Sequence, residues 1–238
     1  MAGPMNKIHS TAVIGNAVRL GTGNLIGPNV VIAGNTSIGN NNWIGPGTTI
    51  GIEGDILGRP TSNEVPFWES NSISPEFGVV IGNDNVLKEN VTIHAGSHRH
   101  TEISNSCYLM PRTHLGHDCW IGNNVLLSPG AQVAGHVAIG SRTVVGMGAL
   151  VHQFSSIGPV VMVGMGCCVR GHVETCRTVV GEPHKVSGIN KVGIKRLLGD
   201  DLLQDVMKAL RLKTDVSQLP ETLRDMCLEW SRHIVENH

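Results

Sequence analysis

A branched aliphatic residue recurs at every sixth position along most of this chain, and this period constrains the fold more than any other feature. Three uninterrupted series carry it: Ile8, Ile14, Leu20, Ile26, Ile32, Ile38, Ile44, Ile50; then Ile81, Leu87, Ile93; then Ile103, Leu109, Leu115, Ile121, Leu127, Val133, Ile139, Val145, Val151, Ile157, Val163, Val169. A period of six fits neither a helix nor the alternation of a hairpin strand. It is typical of a parallel β-helix, in which each hexad forms one short strand and one corner.

The rest of each hexad supports the same interpretation. The residue four positions after the aliphatic one is mostly small or β-branched, as at Val18, Thr48 and Ala131. Gly or Asn elsewhere in the hexad is expected to relax the corner backbone. Three hexads then make one triangular coil, and successive coils stack about 4.8 Å apart. The predicted fold class is therefore all-β, a parallel β-helix, with a short α-helical tail.

Composition and charge exclude several classes of function. A formal net charge of −1 over 238 residues argues against nucleic acid as the main partner. The six cysteines include no C-x-x-C pair, and three of them, Cys107, Cys119 and Cys167, occupy small-residue positions of the repeat. They predict reduced thiols and a cytoplasmic location. The first ten residues lack the apolar segment of a signal peptide, and no run is long enough for a membrane span.

Two regions are predicted, a β-helix over residues 1–187 and a helical region over 188–238. The repeat is interrupted at 52–78, which carries three prolines and an adjacent Phe67-Trp68 pair and is expected to form a protruding loop. A smaller break separates Ile93 from Ile103. In the tail, apolar residues at helical spacing predict two helices that cap the open end of the last coil: Leu202, Leu203, Val206, Met207, Leu210, and Leu223, Met226, Cys227, Trp230.

Counting hexads places five histidines along one side of the coil. Every third hexad lies on the same side, and the side that begins at Ile93 carries His94, His114, His117, His136 and His152. None of them occupies an inward position. A single histidine is most often an ordinary surface or core residue, but five in a row favour a functional site.

Three kinds of chemistry could use this row. A zinc site needs a three-ligand spacing that the sequence lacks, so no metal is predicted. Cys119 beside His117 could be a nucleophile, but its position in the hexad points inward. The third is general-base catalysis by an imidazole that a neighbouring carboxylate, Asp118, orients. We favour the third.

Five short motifs in this region resemble one enzyme family. They are VTIH at 91–94, HLGHDC at 114–119, AGHV at 134–137, VHQF at 151–154 and NKVGIKR at 190–196. Their order and spacing are similar to those of the acyl-carrier-protein-dependent UDP-N-acetylglucosamine O-acyltransferases of lipid A biosynthesis. The resemblance is close over about residues 80–197.

The resemblance implies a left-handed β-helix, a homotrimer with sites between subunits, and acyl carrier protein as a partner. The donor would be its acyl-phosphopantetheine, with no other cofactor. His117 would be the general base, Asp118 would assist it, and the Gly135 N–H would stabilise the oxyanion. Substrate-binding roles would fall to Asp55, His94, His114, His136, His152, Gln153, Asn190 and Arg196. Met165 would close the acyl groove and select a medium-length chain, which the resemblance implies to be a 3-hydroxyacyl group.

Three departures from the family pattern affect the nucleotide-sugar end. Val192 stands where the family has an acidic residue, Leu197 where it has a second arginine, and the 52–78 loop is longer. The predicted acceptor is therefore an N-acetylglucosamine-like nucleotide sugar. The alternatives are another nucleotide amino sugar, N-acylation, or a coenzyme A donor; a non-catalytic β-helix scaffold is less favoured.

Overall fold

A computed structural model describes residues 5–54, 76–212 and 215–235. These residues form short strands followed by three helices and one 3-10 turn, Val216–Gln218. The strands are β1 Lys7–Ile8, β2 Val13–Ile14, β3 Arg19–Leu20, β4 Leu25–Ile26, β5 Val31–Ile32, β6 Thr36–Ile38, β7 Trp43–Ile44, β8 Thr49–Ile52, β9 Val79–Ile81, β10 Val86–Leu87, β11 Thr92–His94, β12 Thr101–Ile103, β13 Tyr108–Leu109, β14 His114–Leu115, β15 Trp120–Ile121, β16 Leu126–Leu127, β17 Gln132–Val133, β18 Ala138–Ile139, β19 Val144–Val145, β20 Leu150–Val151, β21 Ser156–Ile157, β22 Met162–Val163, β23 Cys168–Val169, β24 His172–Val173, β25 Arg177–Val180 and β26 Lys185–Ile189. The helices are α1 Lys191–Leu198, α2 Leu203–Leu212 and α3 Glu221–Val235.

The strands build three parallel sheets that enclose the core as the faces of a prism. The first face runs β1-β4-β7-β10-β13-β16-β19-β22-β25-β26, the second β2-β5-β8-β11-β14-β17-β20-β23, and the third β3-β6-β9-β12-β15-β18-β21-β24. Each strand is therefore hydrogen-bonded to the strand three places later in the chain, as the six-residue period predicts. Only the terminal pair β25–β26 is antiparallel among the described strands.

The aliphatic ladder fills the interior. From Ile26 to Val179 the aliphatic residue of each hexad is buried, and so are small residues four positions later, such as Val125, Ala131 and Val137. Burying one such branched side chain contributes about 1.5–3 kcal/mol to folding. Because each coil is narrow, the core is a single column of these residues.

Glycine has a second role besides the one that the sequence predicts. The left-handed turn falls three residues after the aliphatic position and is made by Gly or Asn at several corners, as at Gly130 (φ 69°) and Asn124 (φ 56°), and by other residues elsewhere, as at Arg142 (φ 60°). The glycine directly after the aliphatic residue is required by the next coil. A Cβ on Gly116 would lie 2.6 Å from the Gly135 nitrogen, and one on Gly140 would lie 2.4 Å from the Pro159 nitrogen.

Both interruptions of the repeat lie at the corner between the second and third faces, in successive coils. The 52–78 segment connects β8 to β9, and the shorter one connects β11 to β12. Their ends are joined: Ala95 donates its N–H to the Ile52 carbonyl at 2.8 Å, and Gly96 donates to the Gly78 carbonyl at 3.1 Å. The Gly78 N–H in turn donates to His100 Nδ1 at 3.0 Å. The described ends of the two insertions thus meet at one edge of the coil.

The tail begins with a hairpin that the sequence did not predict. Strand β25 continues the first face in parallel with β22, and β26 folds back on it. The predicted helical residues Val206, Met207, Leu223, Cys227 and Trp230 are buried in α2 and α3. Helix α3 covers the third face, where its Trp230 stacks on His172 and its His233 stacks on Trp120. None of the helices in the described part of the chain has the length and apolarity to cross a membrane.

Candidate functional site

A cleft of about 480 Å³ runs along the outer side of the second face. The register His114–Gln132–Leu150–Cys168 sets its floor, one residue from each of four coils. Its lining is His94, His114, Gly116, His117, Gln132, Val133, Ala134, Gly135, Leu150, Val151, His152, Gln153, Cys168 and Arg170. Four of the five aligned histidines therefore border one cavity, and the fifth, His136, lies at its edge.

His117 and Asp118 form a hydrogen-bonded dyad at the corner after β14. The His117 Nδ1 lies 2.6 Å from Asp118 Oδ2. Asp118 is fully buried, whereas His117 keeps 20% of its side chain exposed toward the cleft. Since Nδ1 faces a carboxylate, the neutral ring holds its proton there and presents the unprotonated Nε2. This is the arrangement of an oriented general base.

The four-residue insertion between β11 and β12 holds the Asp118 carboxylate. Three successive N–H groups, of Ser97, His98 and Arg99, donate to Oδ1 at 2.8, 2.8 and 2.9 Å. The Ser97 hydroxyl donates to Oδ2 at 2.6 Å. Arg99 donates Nε and Nη2 to the Asp118 carbonyl at 2.8 and 2.7 Å. The break in the repeat thus builds a cradle for one carboxylate.

Asp118 stays ionised in this cradle. Burial alone raises the pKa of the carboxyl, but the hydrogen bonds from His117, Ser97 and the N–H groups of His98 and Arg99 together hold that pKa well below its usual range. The residue also takes the left-handed conformation (φ 61°), which Asp and Asn adopt more readily than most residues. A charged acceptor is therefore available to the His117 ring at all ordinary pH values.

Gly135 lies against the reactive edge of His117. A Cβ at Gly135 would come within 2.8 Å of His117 Nε2 and Cε1, so no side chain fits there. Among the described residues, none accepts the Gly135 N–H. Gly54, where the longer insertion begins, packs on the same ring: its Cβ would lie 2.9 Å from His117 Cδ2. A small reacting group could therefore reach Nε2 beside an available N–H donor.

His136 packs between the dyad and an aromatic side chain. Its ring lies 5.0 Å from the His117 ring between centroids and stacks on Phe154 at 4.6 Å. Its Nε2 lies 3.5 Å from Asp118 Oδ2. Burial lowers the pKa of His136, and the attraction of Asp118 only partly offsets this effect. Both His136 and Phe154 have φ 59°, the left-handed conformation that the repeat places at the third position after the aliphatic residue.

The described ranges, 5–54, 76–212 and 215–235, contain one group of side chains that could surround a metal ion. It consists of His98, Asp118 and His136, whose ligand atoms all lie within 4.8 Å of one another. The lone pairs of Asp118 are already used by three N–H groups on Oδ1 and by Ser97 and His117 on Oδ2. A metal would have to displace the hydrogen bonds that orient His117. The geometry therefore favours proton transfer over metal binding at this corner.

Cys119 is unsuited to nucleophilic catalysis. It is fully buried in the core, and burial raises the pKa of its thiol to about 12. A thiol rather than a thiolate is present near neutral pH, and the thiolate is the reactive form. The inward position predicted for Cys119 agrees with the structure.

Other predicted residues lie outside the cleft of a single chain. Asn190 uses its amide to cap α1, with Oδ1 accepting from Gly193 N at 3.0 Å and Nδ2 donating to the Val160 carbonyl at 2.8 Å. Arg196 is exposed on α1, and Met165 is 78% exposed at the corner between the first and second faces. Asp55 lies outside the described residues.

Sequence reasoning missed two groups of residues. Ser97 and Arg99 carry no motif, and only the ten-residue gap between Ile93 and Ile103 marked their segment. Arg170 directly follows Val169, as His94 follows Ile93 and His152 follows Val151. The same hexad count that aligned the histidines could therefore have placed Arg170 in the row.

The chain is similar in sequence and in fold to several known transferases. The family model for bacterial transferase hexapeptide repeats (six repeats) matches residues 100–135 and 118–153. The acyl-[acyl-carrier-protein]–UDP-N-acetylglucosamine O-acyltransferase of Syntrophobacter fumaroxidans is 34% identical over 129 residues, 50% of each chain. The solved structure of UDP-N-acetylglucosamine O-acyltransferase from Moraxella catarrhalis is 29% identical with a TM-score of 0.66, covering 99% of this chain and 91% of that one. The UDP-N-acetylglucosamine acyltransferase from Campylobacter jejuni is 25% identical with a TM-score of 0.69, covering 94% and 93%.

These similarities confirm the resemblance that the motifs predict. They also confirm the fold class, a left-handed parallel β-helix with a C-terminal helical region. By sequence, the chain spans about half the length of the curated relatives that it matches. By structure, the match extends over nearly the whole chain.

Proposed function

We propose that this chain, a relative of acyl-carrier-protein-dependent UDP-N-acetylglucosamine O-acyltransferases, transfers a fatty acyl group from acyl carrier protein to a sugar hydroxyl of a nucleotide-activated, N-acetylglucosamine-like acceptor. The observation that carries the proposal is the cradled His117–Asp118 dyad, which opens onto a cleft within the matched repeats. The donor is the acyl-phosphopantetheine thioester, and no further cofactor takes part. The acceptor group in this scheme is the 3-hydroxyl of UDP-N-acetylglucosamine or the matching group of a related nucleotide amino sugar.

In the proposed reaction, His117 Nε2 removes the proton of the acceptor hydroxyl as its oxygen attacks the thioester carbonyl. A carbon–oxygen bond forms, and the carbonyl electron pair moves onto its oxygen. When the tetrahedral intermediate collapses, the carbon–sulfur bond breaks and the thiolate takes the proton from His117. Asp118 accepts a hydrogen bond from Nδ1 throughout and stabilises the transient imidazolium. General-base catalysis of this kind contributes about 10²–10⁴-fold in rate.

The Gly135 N–H is the proposed donor to the developing oxyanion. It lies beside Nε2 and has no acceptor among the described residues. An N–H fixed in advance stabilises charge that appears only in the transition state. His94, His114, His152 and Gln153 line the same cleft and are proposed to position the substrates, with His136 supporting the dyad.

The site is proposed to be completed by neighbouring subunits of a homotrimer. One chain leaves the cleft open and keeps Asn190, Arg196 and Met165 away from it. The outward positions of the first face form an uninterrupted apolar stripe, which we call the first-face stripe: Leu25, Trp43, Val86, Tyr108, Leu126, Val144 and Met162. An apolar stripe of this length is suited to contact with another copy of the chain.

The function is tested by incubating the protein with acyl carrier proteins of several chain lengths and a panel of UDP- and dTDP-sugars, with products identified by mass spectrometry. His117→Gln should lower kcat by at least about 10²-fold. His9→Gln, at the N-terminal end and outside the cleft, is the matched control and should retain wild-type turnover. Turnover by His117→Gln close to that of the wild type would contradict the mechanism, and absence of transfer to every acceptor would leave only a scaffold.

The panel also decides the acceptor. Val192 cannot accept a hydrogen bond and Leu197 offers no cation, so we propose that UDP-N-acetylglucosamine binds less tightly than some related amino sugar. Products from a 3-amino sugar would show N-acylation, and turnover with acyl-coenzyme A would show a carrier-independent donor. UDP-N-acetylglucosamine as the best acceptor, with a micromolar KM, would refute the weaker binding.

Acyl length is proposed to depend on Met165. A thioether at the end of the acyl groove occupies space that terminal methylenes need, and each buried methylene contributes about 0.8 kcal/mol. Met165→Gly should shift the preference toward longer chains and change the rate with the shorter chain by only a few fold. The check is competition between carriers of different length in one tube, and an unchanged profile would contradict the role.

A further inference from the structure

The cleft has a charged end that the proposed reaction does not use. Arg170 is its one lining residue with a permanent charge, and no carboxylate is among the lining residues in the described part of the chain. No ion pair with Arg170 forms among residues 5–54, 76–212 and 215–235. A guanidinium without a carboxylate partner inside a cleft is an anion-binding group, and it presents a fork that matches phosphate oxygens.

The hairpin of the tail adds a second donor beside Arg170. The Arg170 N–H donates to His184 Nδ1 at 3.3 Å, and the His184 N–H donates to the Cys168 carbonyl at 3.0 Å. Because Nδ1 accepts a hydrogen bond, a neutral His184 ring carries its proton on Nε2. Hairpin β25–β26 thus holds the His184 ring against the backbone of Arg170, with its Nε2–H available as a second donor.

The distance to the reaction centre is one that a nucleotide sugar can span. The His117 hexad and the Arg170 hexad are separated by three coil spacings, since the register runs β14–β17–β20–β23. Three spacings amount to about 14 Å along the axis, and the long arginine side chain shortens the gap. A single nucleotide sugar can bridge the part of the gap that an extended arginine side chain leaves, because one pyranose ring and one glycosidic bond divide its hydroxyls from its diphosphate.

We propose that Arg170, with His184, forms a phosphate subsite that holds the diphosphate of the nucleotide-sugar acceptor while its hydroxyl lies at His117. This inference rests on the proposed function for the identity of the acceptor. The same chemistry would also suit the phosphate of the donor's phosphopantetheine, so the experiment has one arm for each source. Arg170 is then a specificity-determining residue that contributes to binding and not to proton transfer.

The test compares Arg170→Gln with Arg142→Gln. Arg142 is exposed at the corner that joins the third face to the first, outside the cleft, and is the matched control. Binding of UDP and of uridine is measured by calorimetry, and KM is measured separately for the nucleotide sugar and for acyl carrier protein. We expect Arg170→Gln to weaken UDP binding and to raise the acceptor KM by about tenfold or more, the scale of charge-assisted hydrogen bonds. Uridine binding, kcat and the carrier KM should stay within about twofold, and Arg142→Gln should match the wild type.

Each other result has a defined meaning. Unchanged UDP affinity in Arg170→Gln, with acyl transfer intact, overturns the subsite and leaves the proposed function in place. A rise in the carrier KM alone assigns Arg170 to the donor phosphate and also overturns it. Loss of UDP binding in Arg170→Gln, in a protein that transfers no acyl group, supports the subsite and refutes the proposed function.

Discussion

Asp118 shows how one residue meets the needs of the fold and of the chemistry together. The third position after the aliphatic residue needs a left-handed backbone, and aspartate tolerates it. At this one corner the side chain also meets three N–H groups and a hydroxyl from the Ser97–Arg99 segment. A turn residue has thereby become a buried, permanently ionised partner for His117.

Ser97 is predicted to act as a positioning residue. Ser97→Ala removes the hydroxyl that shares Oδ2 with His117, which leaves more negative charge on that oxygen. The proton on the imidazole then becomes harder to remove, so the acid limb of the kcat/KM profile should shift to higher pH. Ser97→Thr keeps the hydroxyl and should restore the wild-type profile. A general loss of activity with an unshifted limb in Ser97→Ala would instead indicate a structural role.

His136 is predicted to make stability depend on pH between about 5 and 7. Its pKa is lowered in the folded protein, so below the ordinary histidine range the unfolded chain binds a proton that the folded chain does not. Stability is therefore full above that range and falls as pH decreases. Asparagine tolerates the left-handed backbone at this position, so the stability of His136→Asn should fall less than that of the wild type as the pH is lowered. Urea midpoints at pH 7.0 and 5.5 measure it, and equal decreases in both proteins would contradict the prediction.

At the scale of elements, a column of buried asparagines links the coils at the corner between the third and first faces. Each side chain accepts, through its Oδ1, a backbone N–H from the next coil at 2.8–2.9 Å. Asn24 accepts from Asn42, Asn42 from Asn85, and Asn85 from Cys107. Their Nδ2 groups donate to carbonyls of Gly39, Gly82 and Ser104. These residues occupy the inward position where the sequence otherwise places small or β-branched residues.

The buried asparagines are predicted to contribute more than the exposed ones beside them. Asn85→Ala leaves the Cys107 N–H and the Ser104 carbonyl unpaired in the core and should lower the free energy of unfolding by about 2 kcal/mol or more. Asn105 makes similar bonds at the exposed edge of the same corner, where water can replace them. Asn105→Ala should therefore lower it by less than about 0.5 kcal/mol. Urea unfolding of the two variants decides, and equal losses would contradict the prediction.

The sequence predicted the elements of the repeat better than their interruptions. An aliphatic residue that recurs every six positions marks the buried position of each hexad. The aliphatic ladder, the three faces and the histidine row could therefore be predicted by counting residues. Ser97, His98 and Arg99 could not, because their role depends on backbone N–H groups that carry no residue signature. The hairpin β25–β26 was missed for a related reason: Val179 continues the ladder, but β26 pairs at the edge with no apolar period of its own.

At the scale of the whole molecule, the same face both covers the core and displays the first-face stripe. The stripe is half-buried to exposed in one chain, with Leu25 and Tyr108 among the exposed large apolar residues. Helix α3 covers the third face, and the cleft occupies the second. The remaining apolar surface is therefore the surface available for assembly.

Light scattering is predicted to give three times the chain mass of 25.4 kDa. Leu126→Lys puts a charge in the centre of the stripe and should yield monomers that retain the β-helix circular dichroism and lose activity. Val80→Lys, which replaces an exposed apolar residue on the third face, is the matched control and should remain trimeric. A wild-type monomer, or a trimer that survives Leu126→Lys, would exclude the stripe as the subunit contact.

Because the register of the second face is constant, the residue number of a side chain gives its position along the cleft. Outside the two insertions, adding 18 to a residue number moves a side chain one coil along the axis without turning it, as from His114 to Gln132 to Leu150. Deleting or duplicating one whole coil would shorten or lengthen the cleft by a single step and leave all other neighbours unchanged. The distance between His117 and Arg170 is thus a quantity that evolution, or an engineer, can change in whole increments.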